Sequence, residues 1–290
     1  MQGLTALDCL LQQARTVRVS DIVRPAEPAI LTDLSQPADL NRLRRAMAVS
    51  SLPDGFCMCR GDVRFEFLDS HGQQIATVGF HHGVTLRWTG WESDTVLADE
   101  QALLYWLNDH GAPRALAQFE EDQRQRAHAL DARVSWTAAM PAALSGLAPR
   151  LLALSSTGVL PSAELLSEAH ALLAQALQDP TPRVLALLAW YGSGTDRYSG
   201  YPVHETFPGL LLQDVPITEI IAALQDPQAD ERHDGGALRH LLGWKSRNKQ
   251  ARDINTIPTS LRTRLLHQAR TSDDTTIQRR AEQLLAPTGE

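Results

Sequence analysis

The chain has 290 residues, of which 43% are hydrophobic and 21% charged, and its formal net charge is −7 at neutral pH. This composition excludes a disordered chain and a protein that binds polyanions over its whole surface. No run approaches the roughly 18 apolar residues that a membrane-spanning helix needs. The N-terminus lacks the basic start of a signal peptide, and three cysteines are too few for a disulfide scaffold. We therefore expect a cytoplasmic protein.

The first 130 residues combine helical and strand patterns. Leucines from Leu4 to Leu11 follow a helical spacing, and a second helix follows Pro37. The clearest pattern runs from Cys57 to Phe67, where apolar side chains alternate with charged ones, as in a strand with one buried face.

Two further strands are predicted after this one. The turn at 69–72 precedes a returning strand that ends at His82, and the segment from Val84 to Trp88 alternates again. Burying the apolar faces of the first two strands together sets Phe65 opposite Ala76 and Val63 opposite Val78. The sequence thus predicts an α+β domain over residues 1–130, with a three-strand antiparallel meander packed against helices. Asp99 is the predicted N-cap of a helix that Gly111 ends.

Two cysteines and a histidine are expected on one side of this hairpin. In the predicted register Cys57, Cys59 and His82 share a face, whereas His81 points to the opposite one. Thiolates and an imidazole within reach of one another are ligands that Zn²⁺ selects. Because cysteine is also among the most commonly buried residues, simple core packing is the alternative.

Residues 131–290 show no strand pattern and contain a repeat. The sequence Ala-Leu-Gln-Asp-Pro at 176–180 recurs at 223–227, and a degenerate copy follows at 269–273. Each copy ends one amphipathic helix and precedes another. This helix–turn–helix pattern, with a period near 40–47 residues, resembles HEAT-type α-solenoid repeats over about residues 160–290. The resemblance implies an all-α domain of stacked helix pairs; a non-repetitive helical bundle is the alternative.

The segment 191–208 is longer than an ordinary connection between helices. It carries three of the four tyrosines of the chain, together with charged residues and glycines. Aromatic side chains ringed by polar groups are typical of recognition surfaces. The predicted binding residues are Tyr191, Arg197, Tyr198, Tyr201, His204 and Glu205. The competing interpretation is a loop that merely covers a helix pair.

Basic residues concentrate in the last third of the chain. From Arg239 to Arg280 there are ten basic and three acidic residues, a net charge of +7, so the rest of the chain carries −14. A basic face on a helical array can follow phosphates, as in helical-repeat DNA glycosylases. The residues assigned to this role are Arg239, Lys245, Arg247, Lys249 and Arg252. Cations that complement helix C-termini are the alternative.

No nucleotide-binding, nucleophile-elbow or metalloprotease motif occurs in the sequence, which therefore gives no support for an enzyme. The segments 81–88 and 199–202 resemble stretches of uncharacterised bacterial proteins, a likeness that carries no activity with it. The leading hypothesis is a non-catalytic adaptor that binds a protein or peptide through its helical repeats and the 191–208 segment. The alternatives are a nucleic-acid-binding protein that uses the basic region and a metal-binding domain at the cysteines. A membrane partner is not expected.

Overall fold

A computed structural model of the protein describes residues 2–51, 55–195, 200–243 and 246–286. The chain divides into two compact units, Met1–Ala127 and His128–Glu290. The first contains a sheet with helices and the second is helical. The predicted α+β class is confirmed.

The described residues of unit 1 form seven strands and three complete helices, followed by the first part of a fourth helix. The strands are β1 (Thr16–Asp21), β2 (Ile30–Asp33), β3 (Val49–Ser51), β4 (Val63–Leu68), β5 (Gln74–His81), β6 (Thr85–Trp88) and β7 (Thr95–Leu97). The helices are α1 (Gln2–Leu11), α2 (Pro37–Ala46), α3 (Glu100–Asp109) and α4 (Arg114–Ala139), of which α4 continues past the boundary between the units.

The strands form one antiparallel sheet in the order β2-β1-β4-β5-β6-β7-β3. The three strands expected from the sequence are neighbours in its middle, so the predicted sheet is too small. Four strands lie outside the predicted meander. Of these, β1 has six residues, whereas β2, β3 and β7 have three or four each, too few for alternation to distinguish them from loop.

The predicted pairing of β4 with β5 is wrong by two residues. Phe65 lies opposite Val78, and Val63 opposite Phe80. The connection has five residues rather than four, and the register shifts again between Phe67 and Leu68. The buried set is nevertheless as predicted, because a slip of two residues keeps every side chain on its own face. Val63, Phe65, Val78 and Phe80 are all buried.

Helix α3 closes the core of unit 1 against the sheet. Its N-cap is Asp99, whose side chain accepts a hydrogen bond from the amide of Ala102, as expected from the sequence. Gly111 follows the end of the helix with a φ of 90°. The indole of Trp106, 1% exposed, packs on Phe65 of β4.

Unit 2 consists of helices and short 3₁₀ turns at 142–147 and 203–206. The α-helices are α5 (Ala148–Thr157), α6 (Ala163–Ala176), α7 (Pro180–Gly192), α8 (Phe207–Leu212), α9 (Ile217–Gln225), α10 (Glu231–Leu242), α11 (Arg247–Thr256), α12 (Thr259–Arg270) and α13 (Thr275–Leu285). Among the described residues, no single helix is both long and apolar enough to cross a membrane. Two consecutive helical segments, 203–212 and 217–225, meet the length and hydropathy criteria only when they are counted together, and they are sharply bent relative to each other.

Helices α7 and α10 make the closest packing in unit 2 because glycines face the neighbouring backbone. A Cβ added at Gly236 would fall on the carbonyl oxygen of Leu188, and one added at Gly192 would lie 2.6 Å from the carbonyl oxygen of Arg232. Any larger side chain must therefore push the two helices apart.

Gly236→Ala is expected to lower the free energy of unfolding of unit 2 by about 1–3 kcal/mol, the usual cost of overpacking. Gly235→Ala is the matched control, because a Cβ there meets no atom within 4 Å. Since alanine is the better helix former, the control is expected to gain about 0.5–1 kcal/mol. Urea unfolding followed by far-ultraviolet circular dichroism measures both. Equal effects would contradict the close approach of α7 and α10.

Candidate metal centre

The cysteines lie in an irregular loop and not in a strand. β4 begins only at Val63, and Gly61 just before it has a φ of 89°, which breaks the predicted strand from Cys57 to Phe67. Lacking a strand ladder, the loop that contains Cys57 and Cys59 needs other partners for its backbone groups.

An ion pair between Arg87 and Asp94 supplies those partners. Arg87 on β6 donates through Nε and Nη2 to the Asp94 carboxylate at 2.6 and 2.8 Å. The same guanidinium donates to the carbonyl oxygens of Cys57 at 2.5 Å and Cys59 at 3.3 Å. Asp94 accepts the backbone N–H of Cys57 at 2.7 Å. The pair therefore fixes the backbone on which both thiols are carried.

The end of β5 brings two consecutive histidines to the same loop. His81 is 1% exposed, and its ring occupies space left by two glycines. A Cβ at Gly79 would lie 2.9 Å from Nε2 of His81, and one at Gly61 would lie 3.0 Å from it. His82 has a φ of 53° and is the sole non-glycine residue with a positive φ in the part of the chain that the structure describes. Its amide donates to the Asp62 carboxylate at 2.6 Å.

Four donor atoms meet here. The Sγ atoms of Cys57 and Cys59 are 2.9 Å apart. Nε2 of His82 lies 3.1 Å from the first sulfur and 3.2 Å from the second. Nδ1 of His81 lies 3.0 Å from the sulfur of Cys59. The donors of Cys57, Cys59 and His81 all lie within 4.8 Å of one another.

The structure thus brings the predicted residues Cys57, Cys59 and His82 together and adds His81, which was expected on the opposite face. That expectation assumed that the alternation of a strand continues through both histidines. The left-handed backbone at His82 instead ends the strand, and the ring of His82 turns back toward the thiols. The signals for His81 in the sequence are Gly79 and Gly61, which leave its ring room beside the cysteine loop.

The surroundings separate the pKa values of the two thiols. The hydrogen bond from the Cys59 side chain, then that from the Cys59 amide, then that from His82 lower the pKa of Cys57 from 9.0 to about 7. Burial, followed by the hydrogen bond to Cys57, raises the pKa of Cys59. The bond to Cys57 raises the pKa of His82, whereas burial lowers that of His81. Cys57 is therefore the more readily ionised thiol.

The donor set suits zinc. Two thiols and two imidazoles are a common tetrahedral ligand set, with Zn–S bonds near 2.3 Å and Zn–N bonds near 2.0–2.1 Å. The edges of such a tetrahedron measure roughly 3.3–3.8 Å, so the donor pairs must open by roughly 0.4–0.9 Å to hold the ion. The side chain of Cys57 is only half-buried.

The 191–208 segment is only partly as expected. Arg197 and Tyr198 lie outside the described residues. Tyr201 is 62% exposed, but His204 and Glu205 are buried and form no solvent-facing rim. A 3₁₀ turn at 203–206 directs both inward, where Nδ1 of His204 lies 2.7 Å from Oγ of Ser155.

Arg239 is likewise internal, although the sequence placed it on a basic surface. Its Nη2 donates to Oε2 of Glu205 at 3.0 Å, and its Nη1 donates to the carbonyl oxygen of Tyr191 at 2.6 Å. The guanidinium also stacks 4.6 Å from the centre of the half-buried Tyr191 ring. Of the other predicted phosphate-binding residues, Lys249 and Arg252 are partly or fully exposed, and Lys245 and the side chain of Arg247 lie outside the described part.

Comparison with known proteins adds no functional assignment: no protein-family model, no curated protein and no solved structure matches this chain.

The lowered pKa of Cys57 predicts a pH-dependent reactivity in metal-free protein. In a Cys9→Ser background, alkylation of Cys57 by iodoacetamide is expected to rise with a midpoint near pH 7, because the thiolate is the reacting species. Removing the main stabilising hydrogen bond with Cys59→Ala moves the midpoint upward, toward the ordinary value of 9.0. Mass spectrometry of the modified peptide follows the rate. A midpoint unchanged by Cys59→Ala would contradict the contact between the thiols.

Proposed function

We propose that this protein binds zinc in unit 1 through Cys57, Cys59, His81 and His82. The observation that carries the proposal is the convergence of two thiol sulfurs and two imidazole nitrogens, each within 3.2 Å of at least one other donor. A bound ion would tie the cysteine loop to the end of β5. None of the three cysteines forms a disulfide, so the thiols of Cys57 and Cys59 are available as ligands.

The support for a metal site, rather than ordinary burial, comes from the surroundings. A core cysteine needs only apolar neighbours, whereas this pair faces two imidazoles and has its loop held by an ion pair. Outer contacts that orient the ligands are typical of metal sites. Arg87 and Asp94 would fill that role here through the backbone of the loop.

Purified protein is expected to contain one zinc ion per chain. Cys57→Ser and Cys59→Ser each remove a sulfur ligand and are expected to reduce the bound metal to background. Cys9→Ser is the matched control: Cys9 is exposed and lies outside the cluster, so this variant keeps its zinc. Elemental analysis after dialysis measures the stoichiometry. Metal-free wild-type protein that also fails to take up added Zn²⁺ or Co²⁺ would end the proposal.

We also propose that unit 2 is a HEAT-like repeat module that binds a protein or peptide partner. Each copy of the sequence repeat lies where the two helices of a pair meet, and the three pairs are α6–α7, α9–α10 and α12–α13. Helix α10 packs against both α7 and α13. Asp179, Asp230 and Asp274 are the N-caps of the second helices. Stacking of successive pairs is what a solenoid requires, and it creates an extended surface for ligands.

Tyr201 is the described residue on which this second proposal depends. Its ring is 62% exposed, so Tyr201→Ala is expected to leave the thermal midpoint nearly unchanged. If the segment recognises a partner, the same change weakens binding by about 2 kcal/mol or more, as at interface hot spots.

Tyr105→Ala is the matched control, because Tyr105 is 51% exposed in unit 1. Affinity purification with quantitative mass spectrometry is expected to recover the same partners with wild type and Tyr105→Ala, and to lose them with Tyr201→Ala. Equal recovery with all three proteins would remove Tyr201 from the binding surface.

A further inference from the structure

A cavity of about 320 Å³ adjoins the four-donor cluster in unit 1. Its walls include His82 and Gly83 after β5, and Phe119 and Asp122 on α4. Neither cysteine lines it, nor does His81. The cluster therefore meets this cavity through one donor residue, His82. The volume is sufficient for a small organic molecule.

Three of the four donors are held by surrounding structure. His81 is 1% exposed and enclosed by Gly61 and Gly79. Cys57 and Cys59 are fixed through their backbone by Arg87 and Asp94. These three residues define a partial coordination sphere that stays in place whatever the fourth donor does.

His82 is held differently. Its side chain is exposed, and its backbone is left-handed, with a φ of 53°, a conformation that non-glycine residues adopt only at an energetic cost. Gly83 follows with a φ of 73° and packs closely on the ring of Phe119, from which a Cβ would lie 2.7 Å away. Moving the His82 ring away from the thiols requires no rearrangement of the other three donors.

We infer that His82 is an exchangeable fourth ligand and that the cavity delivers a small molecule whose donor atom replaces it on the metal. This inference rests on the proposed zinc site. Three protein ligands with an exchangeable fourth position are the arrangement of metal sites that bind substrates, whereas four permanent ligands are the arrangement of structural sites.

The cavity also indicates the class of ligand. Asp62 and Asp122 line the cavity; Asp62 accepts the amide of His82 and Asp122 accepts the side-chain amide of Gln118, which leaves each carboxylate further acceptor positions. The charge of Arg114 is offset by its ion pair with Asp21. Phe80 and Phe119 supply apolar surface. A small aminothiol fits this combination, because its thiolate suits a thiolate–imidazole metal centre and its ammonium group suits the carboxylates. The thiol proton passes to solvent when the sulfur binds.

The first test uses Co²⁺-loaded protein and cysteamine as the probe. We expect the change in the visible spectrum of the bound Co²⁺ to reach a plateau as cysteamine is added. Native mass spectrometry is expected to detect a ternary complex of protein, Co²⁺ and cysteamine. His82→Ala is expected to keep one Co²⁺ per chain and to bind cysteamine about tenfold more tightly, since the competing imidazole is gone. His81→Ala is expected to lose the metal.

The second test addresses the carboxylates. 2-Mercaptoethanol has the same donor atom without the ammonium group and is expected to bind more weakly than cysteamine. Asp122→Asn is expected to reduce the ratio of cysteamine affinity to 2-mercaptoethanol affinity several-fold. Glu120→Gln is the matched control, because Glu120 is exposed on the same helix and does not line the cavity. An unchanged preference in Asp122→Asn would overturn the assignment of the ligand class.

Two results would overturn the exchangeable ligand while leaving the zinc site intact. One is a Co²⁺ spectrum that cysteamine alters only by stripping the metal. The other is loss of metal in His82→Ala equal to that in His81→Ala. Failure of the wild-type protein to hold any metal would instead refute the proposed function itself.

Discussion

The arrangement of unit 1 depends on the ion pair between Arg87 and Asp94. The Asp94 side chain is 6% exposed, and a carboxylate so far from water is stable only when it is paired and hydrogen-bonded. The hydrogen bond from Arg87 holds the pKa of Asp94 below its ordinary value. The same guanidinium donates to two carbonyl oxygens of the cysteine loop. Because β6 carries Arg87, the position of the thiols depends on the sheet.

The left-handed backbone at His82 gives the cluster its composition. Consecutive residues of a strand point to opposite faces, so two adjacent histidines in a regular strand cannot reach the same pair of thiols. Ending β5 at His81 and reversing the sign of φ at the next residue removes that restriction. A strained residue beside a set of convergent donors is a recognised mark of a functional site.

Patterns among neighbouring residues in the sequence, such as alternation and helix caps, predicted much of the fold. The candidate site depends on contacts that leave no such pattern. Alternation found the buried faces of β4 and β5, and Asp99 was identified as a cap because its bond spans three residues. The register was missed because a five-residue connection and a register shift between Phe67 and Leu68 decided it, in place of the predicted four-residue turn. The pairing of Arg87 with Asp94 has no spacing pattern that the sequence could display, and neither has the strain at His82.

The same limit explains why charge counting misplaced the residues of unit 2. The sequence assigned Glu205 to the rim of one surface and Arg239 to another, but they form a single pair whose side chains are 2% and 7% exposed. Each charge is stable inside the protein because the other is there, so neither is available to an external ligand without breaking the pair. The excess of positive charge between 239 and 280 therefore overstates what the surface presents. In unit 1 the same caution applies, because Asp62 and Asp122 line the cavity but accept hydrogen bonds from His82 and Gln118.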